Sequence, residues 1–172
     1  MEYKLRAWTL NDIPDLVHHA NNRNIAKFMT DQFPNPYTEQ HAMRFINMVS
    51  EHQPTRVFAI TIDGHAVGSI GLHPQQDIMK RNAELGYWLG EEFWGKGIIT
   101  NVVQDMIQYA FKTFDISRIY ARPFGSNIGS QKVLEKAGFI LEAKIPASIL
   151  KYGVVEDELI YAVRRETRTN TH

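Results

Sequence analysis

Between Glu84 and Thr113 the apolar spacing changes from a period of two to a helical period across a Gly-x-Gly step, and no other stretch limits the fold as tightly. Leu85, Tyr87 and Leu89 alternate with Gly86, Trp88 and Gly90, which predicts a strand. Ile99, Val102, Val103, Met106, Ile107 and Ala110 recur at helical spacing, which predicts a helix from about Gly97 to about Thr113. Gly95 and Gly97 sit at the junction, where bare backbone lets a ligand come close. The first N–H groups of a helix lack intrahelical partners and lie at the positive end of its dipole, so they favour a phosphate. The same glycines also suit a tight turn with no ligand. The spacing matches neither a Walker loop nor the dinucleotide fingerprint.

The flanking segments fall into place around this unit. Tyr3–Trp8 alternates and predicts a first strand. Thr9 or Asn11 can cap a helix with Asp12, Pro14 and Asp15 in its first turn, running to about Asn21. A short helix over about Asn24–Met29 and a rigid aromatic loop, Thr30–Tyr37, follow. Thr38 to His41 opens a helix in a near-capping-box pattern. Its buried stripe is Ala42, Phe45, Ile46 and Val49, and His41 and His52 fall on its solvated side. Val57–Ile62 and Ala66–Leu72 read as strands joined by the hairpin signal Asp63-Gly64. Gln75–Asn82 reads as a loop. Ile116–Arg122 is a further strand, Ile128 to about Ala137 a helix stopped by Gly138, and Phe139–Ile145 and Glu158–Arg164 the closing strands, with a loop through Tyr152 and Gly153. The fold class is α/β with a mixed sheet: an antiparallel N-terminal half and a central parallel strand–helix–strand unit with a right-handed crossover. One domain over 1–166 and a polar tail over 167–172 are expected.

Composition narrows the function classes. With 19 basic and 19 acidic residues, the chain lacks the positive excess that an obligatory nucleic-acid partner requires. No cysteine is present, which removes disulfides, cysteine zinc sites and a cysteine nucleophile, and assigns any thiol chemistry to a cofactor. The seven histidines show no HExxH or paired spacing, so no metal is expected. No apolar run approaches a membrane span and the N-terminus does not read as a signal peptide, so no membrane partner is expected and the cytoplasm is the default compartment. A homodimer is the common outcome for soluble proteins of this kind.

Three segments together carry a resemblance. Glu84–Leu89, Phe93–Thr100 and Asn127–Phe139 stand in the order and spacing of the GNAT N-acetyltransferases, and Phe33-Pro34-x-Pro36-Tyr37-Thr38 is similar to their branch of ribosomal-protein N-terminal alanine and serine acetyltransferases. The resemblance covers nearly the whole chain. It implies the GNAT acyl-CoA acyltransferase fold, acetyl-CoA as donor and a primary amine as acceptor. Backbone amides of Gly95, Lys96, Gly97, Ile98, Ile99 and Thr100 would hold the pyrophosphate. Backbone groups of Trp88 and Leu89 would pair with pantetheine like an added strand, where the two parallel strands splay apart. Asn127 matches the pantetheine-contacting asparagine, and capping the next helix is equally good chemistry for it. Two positions depart from the family. Glu92 stands where Gln or Arg is usual, so its carboxylate should point away from a phosphate. Leu134 stands where many members carry a general-acid tyrosine, and the branch's substitute is a serine at the position of Ser130, a residue that also suits a helix's first turn.

The chemistry implied is direct attack of an amine on a thioester through a tetrahedral intermediate, with the N–H of Leu89 polarising the carbonyl. An α-amine, with a pKa of about 8, needs less help to lose its proton than a lysine at about 10.4. Glu84 is the candidate base, acting through water; as a strand-end residue it could instead pair with Arg81 or Lys80. Trp8, Phe33, Tyr37, His73, Tyr152 and Asp157 are candidates for acceptor selection. The leading acceptor is the α-amino group of a protein or peptide. A small-molecule amine (a polyamine, antibiotic or amino acid) is the alternative, with Glu91, Glu92, Glu156, Asp157 and Glu158 as acids that could suit a polyamine. A CoA-binding sensor with eroded catalytic groups is a further alternative.

Overall fold

The computed structural model describes residues 1–166; the polar tail expected over 167–172 lies outside them. The elements in chain order are β1 (Lys4–Ala7), α1 (Ile13–Ala20), α2 (Arg23–Ala26), α3 (Glu39–Val49), β2 (Val57–Ile62), β3 (His65–Pro74), β4 (Asn82–Leu89), α4 (Ile98–Thr113), β5 (Arg118–Ala121), α5 (Ile128–Lys136), β6 (Ile140–Lys151) and β7 (Val154–Arg164). The strands form one seven-stranded sheet in the order β1-β2-β3-β4-β5-β7-β6. Every neighbouring pair is antiparallel except β4 and β5, which run parallel and are joined through α4.

The period-two pattern of β4 sorts its side chains onto the sheet's two faces. Leu85 and Leu89 enter a core under α4 and α5 with Ile70, Val102, Met106 and Leu134. Trp88 enters a second core with Trp8, Leu16, Ile46 and Ala59. Each fully buried Leu, Ile or Val in these layers contributes about 1.5–3 kcal/mol. The Asp63-Gly64 turn has both residues at positive φ, 50° and 86°, as a tight hairpin requires. Thr38 caps α3, and His41 closes the box through Nδ1, 3.0 Å from the Thr38 amide nitrogen, so this histidine is a capping residue and not merely solvated.

The C-terminal region differs most from expectation. The closing strands are one long hairpin turning at Tyr152-Gly153, not short strands separated by a loop. Pro146 does not end β6. The chain absorbs Pro146 to Ser148 as an irregularity between Ile145 and Ile149, with Ala147 at φ 53° and its N–H donated to the Asp157 carboxylate at 2.9 Å. Strand β5 is shorter than expected, because the Ser117 and Arg118 amides still turn back to the Arg81 carbonyl and Pro123 follows soon after. The segment expected as a helix over Asn24–Met29 makes only four helical residues, and the loop after β3 contains a 3-10 turn, Asp77–Met79.

Candidate functional site

The ladder between β4 and β5 covers only Asn82–Glu84 against Arg118–Tyr120. Beyond Glu84 the strands part, and a cavity of about 760 Å³ opens between them. Its walls come from β4, residues 93–97, the start of α4, the end of β5 with the residues after it, α5, and a cap of Asn24, Ile25, Phe28, Met29 and Thr30.

One end is built from backbone. After β4 the chain makes a 3-10 turn, Glu91–Phe93, and enters α4 with Gly95 at φ 71° and Gly97 at φ 74°. Gly97 occupies the N-cap position of α4, where most helices carry an oxygen-bearing side chain; no side chain caps the first amides. Gly95, Lys96, Gly97, Ile98, Ile99 and Thr100 all line the cavity. Glu92 does not; its carboxylate lies 3.5 Å from Nδ1 of His19. Burial, and then His18, lower the pKa of His19 against the opposing pull of Glu92 and Asp15. Lys96 donates to the Glu92 carbonyl at 2.9 Å. Lys132 and Lys136, one turn apart on α5, also face the cavity and were not singled out by the sequence; their i, i+4 spacing was the available signal. Four cations (Lys96, Arg122, Lys132, Lys136) and one carboxylate (Glu84) line the cavity, a balance suited to a polyanion.

The middle of the cavity is the free flank of β4. Backbone groups alternate sides along a strand. Arg81 turns its carbonyl to the β5 side and Asn82 its carbonyl to β3, so odd-numbered residues face the gap. The Trp88 carbonyl accordingly faces β3, 2.5 Å from where a Cβ on Gly68 would sit. This corrects the expectation for Trp88: Leu89 and Tyr87 present backbone to the gap, and Trp88 contributes only lining. The Leu89 carbonyl is taken by the indole N–H of Trp94 at 2.7 Å. Asn127 satisfies both readings, since its Oδ1 accepts the Ser130 N–H at 3.2 Å while the residue lines the cavity. Ser130 lines it too, and its Oγ is 2.7 Å from the hydroxyl of Tyr87. Burial raises the Tyr87 pKa to about 12, opposed by that hydrogen bond. Leu134, one turn deeper, is completely buried.

Glu84 stands where the strands part. Its cross-strand neighbours are His73 and Tyr120. Arg81 pairs with Asp115, and Glu84 makes no ion pair among the described residues. Its charge favours the protonated forms of Tyr120 and Arg122.

The side chains expected to select the acceptor, Trp8, Phe33, Tyr37, His73, Tyr152 and Asp157, stand outside the cavity lining. Trp8 and Tyr37 are core residues, 4% and 5% exposed, and support the cavity rather than line it. Phe33 packs against Trp88 and Tyr37. Tyr152, at the tip of the β6–β7 hairpin, has Arg23 and Lys151 4.2 and 4.5 Å from its ring centroid, and Lys151 reaches Asp31 at 2.9 Å. Asp157 pairs with Lys144 and pins Ala147, so its role is to shape β6. The acids considered for a polyamine are engaged elsewhere: Glu91 by Asn22 and Asn24, Glu92 by His19, Glu156 by Ser126, Glu158 by Arg122. None of them, nor Asp157, lines the cavity. Outside the cavity, His18, His19 and Glu92 bring potential metal-ligand atoms within 4.8 Å of one another, a grouping no sequence spacing reveals.

Residues 3–140 match a family model described as an acetyltransferase (GNAT) domain. YdaF of Bacillus subtilis, by its name a candidate ribosomal N-acetyltransferase, is 37% identical over 101 residues, 59% of this chain. The match covers 55% of YdaF, so the chain spans about half the length of this relative. The ribosomal-protein-serine acetyltransferase of Escherichia coli is 27% identical over 115 residues, 67% of this chain and 64% of that protein. Among solved structures, the microcin C7 self-immunity acetyltransferase MccE, in complex with acetyl-CoA and AMP, superposes with a TM-score of 0.82 at 25% identity over 95% of this chain and 93% of its own. RimL, a ribosomal L7/L12 α-N-protein acetyltransferase in complex with coenzyme A, gives 0.82 at 21% identity over 94% and 93%.

Proposed function

The chain belongs to the GNAT acetyltransferases, and on that premise we propose that it transfers the acetyl group of acetyl-CoA to the α-amino group of a protein or peptide. The observation that carries this reading is the parting of β4 from β5 onto an α4 N-terminus that no side chain caps. The amides from Gly95 to Thr100 bind the pyrophosphate, with Lys96, Lys132 and Lys136 adding charge. The gap-facing backbone of Tyr87 and Leu89 holds the pantetheine arm in the place of a missing strand, and Asn127 closes over it. The N–H of Leu89 polarises the thioester carbonyl.

Glu84 takes the proton of the attacking amine through water. Its position at the fork, with no ion-pair partner among the described residues, leaves the carboxylate available. Ser130 stands on the leaving-group side. An α-amine suits this single base, because at about pH 8 half of it is already neutral. The acids that could suit a polyamine are partnered and stand outside the cavity lining, which leaves a polyamine little to bind.

Calorimetry with acetyl-CoA tests the donor site, and CoA release over free N-terminal peptides, polyamines and aminoglycosides tests the acceptor. Binding with turnover of the peptides alone supports the reading. Turnover of a small amine alone replaces the acceptor, binding without turnover leaves a sensor, and no binding removes the cradle assignment.

A further inference from the structure

We propose that Tyr87, oriented by Ser130, is the group that gives its proton to the departing thiolate. The inference rests on the acetyl-transfer reading and goes beyond it, since that reading leaves Ser130 by itself on the leaving-group side. Three observations support it. The position where the family resemblance leads one to look for a phenol is Leu134, which is completely buried and carries no proton. A phenol nevertheless reaches the same region from the opposite wall: Tyr87, on the free flank of β4, ends 2.7 Å from Ser130 Oγ, one turn of α5 above Leu134. Both residues line the cavity. The strand thus supplies what the helix lacks.

The choice between the two hydroxyls follows from acidity. A phenol ionises at about 10 in water, whereas an alkyl hydroxyl is a much weaker acid. Burial raises the Tyr87 pKa to about 12, which keeps the phenol in its protonated, donating form at neutral pH. Ser130 is fixed in turn, because its own N–H is held by Asn127 Oδ1 at 3.2 Å at the start of α5.

The balance is complete. The amine nitrogen forms the C–N bond, and its surplus proton leaves through water to Glu84. Collapse of the oxyanion breaks the C–S bond and leaves a thiolate. Tyr87 O–H transfers its proton to that sulfur, and the phenolate recovers one from solvent through Ser130, whose hydroxyl takes a solvent proton as it passes its own on. Glu84 returns its proton to solvent, so the products are the amide and free CoA thiol.

The first measurement needs no variant and no turnover: titration of the thiol of bound CoA by thiolate absorbance. A donor hydrogen bond stabilises the thiolate, so the bound thiol should titrate at least tenfold more readily than free CoA. Lys96, Lys132, Lys136, Arg122 and the α4 dipole also favour a thiolate, so Tyr87→Phe isolates the phenol's share by returning the titration most of the way to the free value. Ser130→Ala should move it by a smaller amount. In turnover, Tyr87→Phe should lower kcat by about 100-fold with acetyl-CoA affinity within about twofold of wild type, and Ser130→Ala should lower it by about tenfold. An unshifted thiol in wild-type protein overturns the proposal, and so does Tyr87→Phe turning over at the wild-type rate. A larger loss in Ser130→Ala than in Tyr87→Phe assigns the proton to the serine. Absence of CoA binding or of turnover in the wild type is the failure of the acetyl-transfer reading itself and is read before any variant.

Discussion

The two ends of the cavity are made of different material. The inner end is backbone: amides of the α4 start, the flank of β4, and glycines at φ 71° and 74°. The outer end is lined by side chains from distant segments, such as Asn24, Phe28, Arg122 and Phe124, and outside that lining Lys151 meets Asp31, Arg23 stacks on Tyr152 and Phe33 is set against Trp88. Backbone recognition reads what is common to one ligand type, because amides present the same donors whatever side chains they carry. Side-chain recognition can change at each position without disturbing the fold. On the proposed acetyl-transfer reading the difference teaches where specificity resides: the donor end tolerates little change in geometry, and the acceptor end tolerates much change in identity.

Substitutions that strike one end and spare the other can break this contrast. The largest effect is expected from Gly97→Val. A β-branched residue at positive φ costs about 1–2 kcal/mol, and relieving that strain turns the first amides of α4 away from their present direction. Acetyl-CoA affinity, read by calorimetry, should fall by about 100-fold while acceptor KM holds; an equal rise in acceptor KM would merge the two ends into one unit. Glu84→Gln comes next, with kcat lowered by about 30-fold and the loss steepest at low pH, where the amine arrives protonated. An unchanged pH–rate profile would remove Glu84 from catalysis.

Lys151→Met sharpens the contrast from the other side. It frees the hairpin tip from Asp31, whose carboxylate is largely exposed and is left in water. Acceptor KM should rise about threefold to tenfold, with acetyl-CoA binding unchanged, in steady-state assays across both substrates. The smallest effect concerns pH. Folding depresses the pKa of His19, so below about pH 6.5 the unfolded chain takes up a proton that the folded chain still refuses. Stability should therefore be full above that pH and decline as pH falls through it towards the folded pKa. In urea titrations His19→Gln should flatten that decline.

The sequence made one end far more legible than the other. The change of period across Gly95 and Gly97 located the end of β4, the whole of α4 and the turn between them within a residue or two, because those features are local. Asp63-Gly64 and Gly138 marked their turns for the same reason. Trp88 was misassigned on a point of parity: its side chain and its backbone face different neighbours, and only the strand partners show which flank is free. Tyr87 was read as a strand residue, since nothing local links it to Ser130, 43 positions away. Trp8 and Tyr37 looked like recognition aromatics and proved to be core. The hairpin was cut short because Pro146 imitates a strand end when the stabilising Asp157 lies across the fold.

The three-residue ladder between β4 and β5 has a consequence for the molecule's thermodynamics. A sheet that stops pairing in its own interior is one partner short of complete, and whatever fills the place becomes part of the architecture for as long as it stays. Linkage sets the size of the effect: an occupant at a hundred times its dissociation constant adds about 2.7 kcal/mol to the stability of the folded state. If acetyl-CoA is that occupant, as proposed, the melting temperature of this protein is a gauge of how much donor surrounds it, and a starved molecule is also a softer one.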